Sequence, residues 1–181
     1  RCMDILRRNM VDGIFYASHF LSREFLEELR VPAVTLNNEF SGLPVIHSDD
    51  VQGGYMAARH LIGKGCKRMV HISGQQDLHL SADVRMTAFI KECERQGVAC
   101  KVYSASEQML WDMEYMSLIN RIFMENPDMD GIFASSDIIA AQCIQMAGTL
   151  GYRIPEDIKI VGYDDICPSR LLYPPLTTVH Q

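Results

Sequence analysis

The sequence has no C-x-x-C pair, no Lys/Arg block, no glycine-rich phosphate loop and no long apolar run. Each absence closes off a class of function. The six cysteines (Cys2, Cys66, Cys93, Cys100, Cys143, Cys167) stand apart along 181 residues. That usage fits reduced, mostly buried thiols in the cytoplasm rather than a disulfide framework or a zinc site. No apolar stretch reaches the ~18 residues of a membrane span, and no segment has the make-up of a signal peptide. The formal net charge is −6, and the nearest thing to a basic cluster is Lys64, Lys67 and Arg68, which reads as a solvated helix end. Phosphate contacts need clustered cations, so this chain is not expected to bind nucleic acid by itself. G-x-S-x-G and Walker-type loops are missing, and Gly13 and Gly53-Gly54 form no dinucleotide fingerprint. The six histidines are scattered. No catalytic residue, metal ligand or cofactor is assigned.

What remains is an ordinary globular composition, 48% hydrophobic and 22% charged, with eleven methionines suited to filling core gaps. Strand and helix patterns alternate along it. Strands are expected at 11–17, 32–36, 45–47, 68–73, 100–103, 131–134 and 158–162. Helical spacing runs from Ser22 through Leu29, from Asp50 through Ile62, from Met86 through Cys93, from Met116 through Phe123, and from an Asp137 cap to Leu150. Gly63, Gly65, Gly97, Asn126-Pro127 and Gly151 stop these helices. Short buried strands alternating with helices mean an α/β fold with parallel sheets and right-handed crossovers. The break between two sets of elements falls near Ser73-Gly74. The expected organisation is a first lobe over 1–73, a second lobe over 74–176, and a crossing back toward the first over 177–181, although a single continuous sheet would read the same way. The chain opens inside what reads as a helix and stops at Gln181 without a capping element, so it reads as an excised piece.

The polar residues share one property: each follows the end of an expected strand. Ser18 and His19 follow the first, Asn37 and Asn38 the second, and Asp49 and Asp50 the third. Ser81 and Arg85 come after the strand ending at Ser73, then Ser135, Ser136 and Asp137 after Ala134, and Asp164 and Asp165 after Gly162. In a parallel sheet these ends line one crevice. Carboxylates accept from hydroxyls, a guanidinium donates several hydrogen bonds in one plane, and Trp111 offers a stacking face. A small polyhydroxylated ligand fits that chemistry. Structural roles compete at each position: Asp49, Asp50 and Asp137 as helix caps, Arg85 as a surface partner of Asp83, Trp111 as core, and Asp165 as a turn residue.

Several stretches also follow a known order: Val11-Asp12-Gly13-Ile14, Pro32-Ala33-Val34, Asp49 with Gly53-Gly54 and His60-Leu61-Ile62, Ile72-Ser73-Gly74, and Arg85 with Phe89. Asp130-Gly131-Ile132-Phe133-Ala134-Ser135-Ser136-Asp137 comes next, then Val161-Gly162-Tyr163-Asp164-Asp165 and Pro175-Leu176-Thr177-Thr178-Val179. This series resembles the LacI family of bacterial transcription regulators. The resemblance implies a periplasmic-binding-protein-like fold of two α/β lobes with a small-molecule effector, a sugar or sugar derivative, held between them. It implies a cytoplasmic homodimer that reaches operator DNA only through a helix-turn-helix absent from this chain, and no membrane. The family's sugar-clamping arginine falls on Arg85 and its ligand-facing aspartate on Asp164. The polar pair falls on Ser136 and Asp137, the stacking aromatic on Trp111, and the polar residue closing the tail on Gln181; Ser81 and Asp50 complete the expected ligand set. Cys66 stands where the family usually has His, and Ser136 where many sugar-binding members have Asn. A periplasmic sugar-binding protein of a transporter is the alternative, since it shares fold and clamp; the unpaired cysteines speak against export.

Overall fold

The computed structural model describes residues 5, 11–17, 31–37, 42–74 and 81–181. They fall into two compact units, Arg1–Ser48 and Asp49–Gln181. In the smaller unit, β1 (Ile14–Tyr16), β2 (Ala33–Leu36) and β3 (Val45–Ile46) form a parallel sheet in that order. Asn37 ends β2 with φ 57°, a left-handed conformation that Asn tolerates better than most residues, and its N–H donates to Ile46 at 2.9 Å. The helix expected from Ser22 to Leu29, and the expected site positions Ser18, His19 and Asn38, lie outside the described residues.

The larger unit opens with α1 (Asp50–Gly63) and β4 (Arg68–Ser73), followed by α2 (Ser81–Arg95) and β5 (Ala99–Ser104). Then come α3 (Glu107–Asp112), α4 (Met116–Glu125), β6 (Gly131–Ala134), α5 (Asp137–Thr149) and β7 (Lys159–Asp164). A 3-10 turn (Cys167–Leu171) leads into β8 (Thr177–His180). The five strands are all parallel, in the order β5-β4-β6-β7-β8. The chain leaves β4 for one edge at β5 and returns to the other side at β6. Strand order therefore reverses between β4 and β6, the place where open α/β sheets accept ligands at their carboxyl ends.

Alternation along the strands sorts the core into two layers. Val70, Ile72, Ile132, Ala134 and Ile160 face α4 and α5, whose stripes supply Ile119, Ile122, Phe123, Ile139, Ala140 and Cys143. Met69, Phe133, Val161 and Tyr163 face the other way, onto Ala57, Ala58 and Leu61 of α1 and Phe89 and Cys93 of α2. The helices α1 and α2 lie close: a Cβ on Gly54 would overlap the Arg85 carbonyl and Ala88. Glu92 of α2 joins them through Arg59 Nε of α1 at 3.1 Å, and is held within α2 by Arg95 Nη2 at 2.6 Å. The Arg95 hydrogen bond, more than any other partner, holds the Glu92 carboxyl down to about 2.

Three sequence expectations shift. The break does not fall at residue 73: α1 packs on α2, and β4 sits inside the five-stranded sheet between β5 and β6, so the units divide between Ser48 and Asp49. The stretch expected as a crossing over 177–181 contains β8, hydrogen-bonded beside β7. Ser136, not Asp137, caps α5, accepting from Ile139 N–H at 3.4 Å. Two elements had no clear sequence signal, the short α3 and the 3-10 turn.

His71 lies fully buried on β4, its Nδ1 bonded to the Phe133 carbonyl at 2.9 Å and its ring stacked on Phe133. Burial pushes its pKa down to about 4. A histidine that stays neutral when folded but charges near 6.5 when unfolded stabilises the fold above that pH and ceases to do so as pH falls toward 4. The full difference is roughly 3 kcal/mol. His71→Gln keeps a neutral donor for Phe133, so urea midpoints measured between pH 4 and 7 should show a shallower acid loss than in wild type. Equal slopes would show that His71 does not carry the effect.

Candidate functional site

The carboxyl ends of β4, β6 and β7 bring Ser73, Ser135 and Asp164 to one edge of the sheet, beside the reversal of strand order. Arg85, in the first turns of α2, reaches the same edge. Its Nε donates to Asp50 Oδ1 at 2.6 Å and its Nη1 to the Ser135 carbonyl at 2.8 Å. The same Nη1 lies 3.8 Å from Asp164 Oδ1. The guanidinium carbon sits 3.7 Å from the centroid of the Tyr163 ring, and the Tyr163 hydroxyl donates to Asp50 Oδ1 at 3.1 Å. Arg85 and Asp50 are only 7% and 6% exposed. Buried charges persist only when paired and hydrogen-bonded, and a planar fork over an aromatic face meets both conditions.

Local sequence explains this arrangement. Asp49 caps α1, accepting from Gln52 N–H at 2.9 Å, which leaves the next carboxylate, Asp50, for Arg85. Gly53 is needed one turn on, because a Cβ there would overlap the Tyr163 hydroxyl and ring. Burial pushes the Tyr163 phenol up to about 12.

Asp164 and Asp165 both take positive φ, 111° and 53°. Such values are costly for residues other than glycine and persist only where surrounding structure enforces them. The turn separates the two carboxylates. Asp165 pairs with Arg170 Nη2 at 3.1 Å and His180 Nδ1 at 3.0 Å, and Arg170 above all lowers its pKa. It serves the turn. Asp164 keeps 29% of its side chain exposed. Burial, then the neighbouring Asp137 and Asp50, push its pKa up to about 6 against the opposing pull of Arg85.

Asp137 is spent on the protein itself. Its Oδ2 accepts from Ile166 N–H at 3.0 Å and Ser169 Oγ at 2.6 Å, and its Oδ1 accepts from Thr178 Oγ at 2.6 Å. Gly162 makes room, since a Cβ there would collide with Asp137 Oδ1. The geometry thus sets Asp137 as a fastener of β7, the 3-10 turn and β8. Of the expected ligand residues, Arg85, Asp50 and Asp164 come together. Ser136 caps α5 and Ser81 begins α2, each half-buried. Trp111, 57% exposed on α3, donates its indole N–H to Glu107 at 3.4 Å. Gln181 is exposed after β8. Ser135, nominated at its strand end, joins the cluster through its carbonyl, whereas Tyr163 was not among the expected residues. The signal for Tyr163 was available: alternation on β7 puts it on the same face as Val161, toward α1 and α2.

Among the described residues, no group of three or more His, Cys, Asp or Glu side chains is placed to hold a metal ion. The edge offers a guanidinium beside a partly exposed carboxylate acceptor, with the positive charge already paired to Asp50. That combination suits hydroxyl groups, which donate and accept at once.

Comparison with known proteins places the chain in a family. A protein family described as a periplasmic binding protein-like domain matches residues 58–181. The ribose operon repressor of Halalkalibacterium halodurans is 35% identical over 181 residues, covering 99% of this chain and 53% of its own length. The sucrose operon repressor of Streptococcus mutans is 29% identical, covering 99% and 54%. The chain thus spans about half the length of the curated relatives it matches. A crystal structure of a periplasmic binding protein/LacI transcriptional regulator from Alkaliphilus metalliredigens, complexed with D-xylulofuranose, superimposes with a TM-score of 0.80 at 26% identity, covering 99% of this chain and 66% of that one. With the family match extending from within α1 past the end of β8, the chain belongs to the periplasmic binding protein-like domain family.

Proposed function

We propose that this chain is the effector-binding region of a LacI-type transcription regulator, taking a small polyhydroxylated molecule, a sugar or sugar derivative, at the carboxyl edge of the five-stranded sheet. The observation that carries the reading is the Arg85 cluster. A guanidinium fixed by Asp50, Tyr163 and the Ser135 carbonyl stands beside the partly exposed Asp164 carboxylate, a donor and an acceptor for one ligand. The relatives named above are repressors of sugar operons, which favours regulation over transport.

The mechanism is linkage. An effector that binds one arrangement of the regulator more tightly than another shifts the population toward it by that difference in affinity, and by no more. In a homodimer, operator half-sites couple that shift to two helix-turn-helix heads carried elsewhere in the parent protein. Ser136, Ser81, Trp111 and Gln181 would complete the ligand set, while Asp137 acts by holding the turn that presents Asp164. The chain performs no turnover, and its parent works where operator DNA lies, in the cytoplasm. None of its helices among the described residues is long and apolar enough to cross a membrane.

A thermal-shift screen of sugars, sugar phosphates and purines on the parent protein identifies the effector. With that compound, calorimetry on Arg85→Lys is informative, because lysine keeps a charge for Asp50 but loses the second donor nitrogen. Its dissociation constant should rise about tenfold or more, ~1.4 kcal/mol; unchanged affinity removes Arg85 from the site. Asp164→Asn should weaken binding by at least ~1 kcal/mol, since a charge-assisted acceptor becomes neutral. Because Asp164 titrates near 6, wild-type affinity should fall as pH drops through 6 and the carboxylate protonates, and the Asn variant should lose that dependence. A wild-type profile flat from pH 5 to 8 would show that the ionised Asp164 does not accept from the effector.

A further inference from the structure

Cys93 and Cys100 flank the tight reversal between α2 and β5. The Val98 N–H closes it by donating to the Cys93 carbonyl at 2.9 Å, and Gly97 supplies the left-handed residue, at φ 65°, that the reversal needs. Val98 and Cys100 then point to one face of the extended chain, and both pack in the apolar layer beneath α1 and α2 that contains Cys93. Each thiol perturbs the ionisation of the other, as close neighbours do, and the Cys100 thiol itself donates to the Lys101 carbonyl at 3.6 Å. Their exposures differ. Cys93 is 1% exposed, whereas Cys100 is only partly buried on β5, an edge strand. Neither takes part in the Arg85 cluster.

We propose that Cys93 and Cys100 are a modification site: a dithiol that hydroperoxides oxidise to a reversible disulfide, tying the end of α2 to the start of β5. Cys100 is the attacking sulfur. Its neighbour Cys93 lowers its pKa, outweighing the burial that raises it. Cys100, with burial, raises Cys93, which stays a thiol. The more thiolate-like and more accessible sulfur reacts first. The Cys100 thiolate attacks one peroxide oxygen and the O–O bond breaks. Sulfur is oxidised to the sulfenic acid, and the other oxygen leaves as hydroxide, which takes up the proton Cys100 had released. The Cys93 sulfur then attacks the sulfenic sulfur, and its proton departs with the displaced hydroxide as water. Two thiols and one hydrogen peroxide give one disulfide and two waters.

Other cysteines act as internal controls. Cys66 shares the apolar layer, but its thiol donates to the Asp130 carbonyl at 3.3 Å and burial raises its pKa. Cys143 is fully buried, which likewise pushes its thiol up. Trypsin cuts after Lys91, Arg95 and Lys101, so Cys93 and Cys100 fall on separate peptides, 92–95 and 96–101.

The test treats the full chain with hydrogen peroxide, blocks remaining thiols, digests it and maps it by mass spectrometry. The expected product is peptide 92–95 linked to peptide 96–101, with Cys66 and Cys143 still reduced and the link reversed by dithiothreitol. In Cys93→Ser, Cys100 should stop at the sulfenic acid and be trapped by dimedone. In Cys100→Ser, Cys93 should stay reduced. The proposal is overturned if both cysteines remain fully alkylatable at peroxide levels that oxidise the exposed Cys167. It is equally overturned if either pairs with a different cysteine, or if Cys100 passes to the sulfinic acid with no link to Cys93.

Discussion

The buried contact between Arg85 and Asp50 is the constraint on which the larger unit's functional edge depends. Each charge alone would be expensive to bury, and each is tolerated because the other lies 2.6 Å away. The contact joins the first residue of α1 to the first turns of α2, and the Tyr163 ring beneath it adds β7. Three elements distant in sequence are thereby locked at the carboxyl edge of the sheet. The pairing also dictates smaller choices nearby. Gly53 must lack a side chain for the Tyr163 hydroxyl to reach Asp50, and Gly54 must lack one for α2 to approach α1.

A second buried carboxylate works in a different way. Asp137 gathers a backbone N–H and a hydroxyl from the segment after β7 and a second hydroxyl from β8, with all three bonds at 3.0 Å or less. That fastening accounts for the persistence of consecutive left-handed residues at Asp164 and Asp165. The turn sends Asp165 to Arg170 and His180 and leaves Asp164 half-exposed near Arg85. Neighbouring aspartates with the same chemistry thus acquire opposite electrostatics, one lowered by its cationic partners and one raised by burial.

Much of the architecture was legible because hydrophobic periodicity reports which face is buried. The run Gly131–Ala134 and the stripe through Met116, Ile119, Ile122 and Phe123 form the strand and helix expected of them. The family resemblance was legible for a similar reason, since its short motifs lie at strand ends in a fixed order. The unit boundary was not legible. The residues Ser73-Gly74-Gln75-Gln76-Asp77 read in sequence like a linker, and only strand pairing reveals that β4 has neighbours on both sides. β8 was missed because the Thr-Thr-Val-His tetrapeptide is short and half-polar, and it becomes a strand through pairing with β7. Within the site, Arg85, Asp50 and Asp164 could be nominated by position. Whether Asp137 faces a ligand or the protein could not, because its partners Ser169 and Thr178 lie more than thirty residues away.

The sequence by itself determined the α/β class, the parallel sense of the strands, the family, and a short roster of polar residues at strand ends. Those follow from local patterns: period, capping chemistry and turn residues act over a few positions and can be read in order. Tertiary structure alone decided which carboxylate would be neutralised by Arg85, which would be consumed by a turn, and which would stay half-exposed. It also decided that Tyr163 completes the cluster and that Cys93 meets Cys100. These outcomes depend on burial and on partners brought together by strand order, and electrostatics responds to distance in space rather than along the chain.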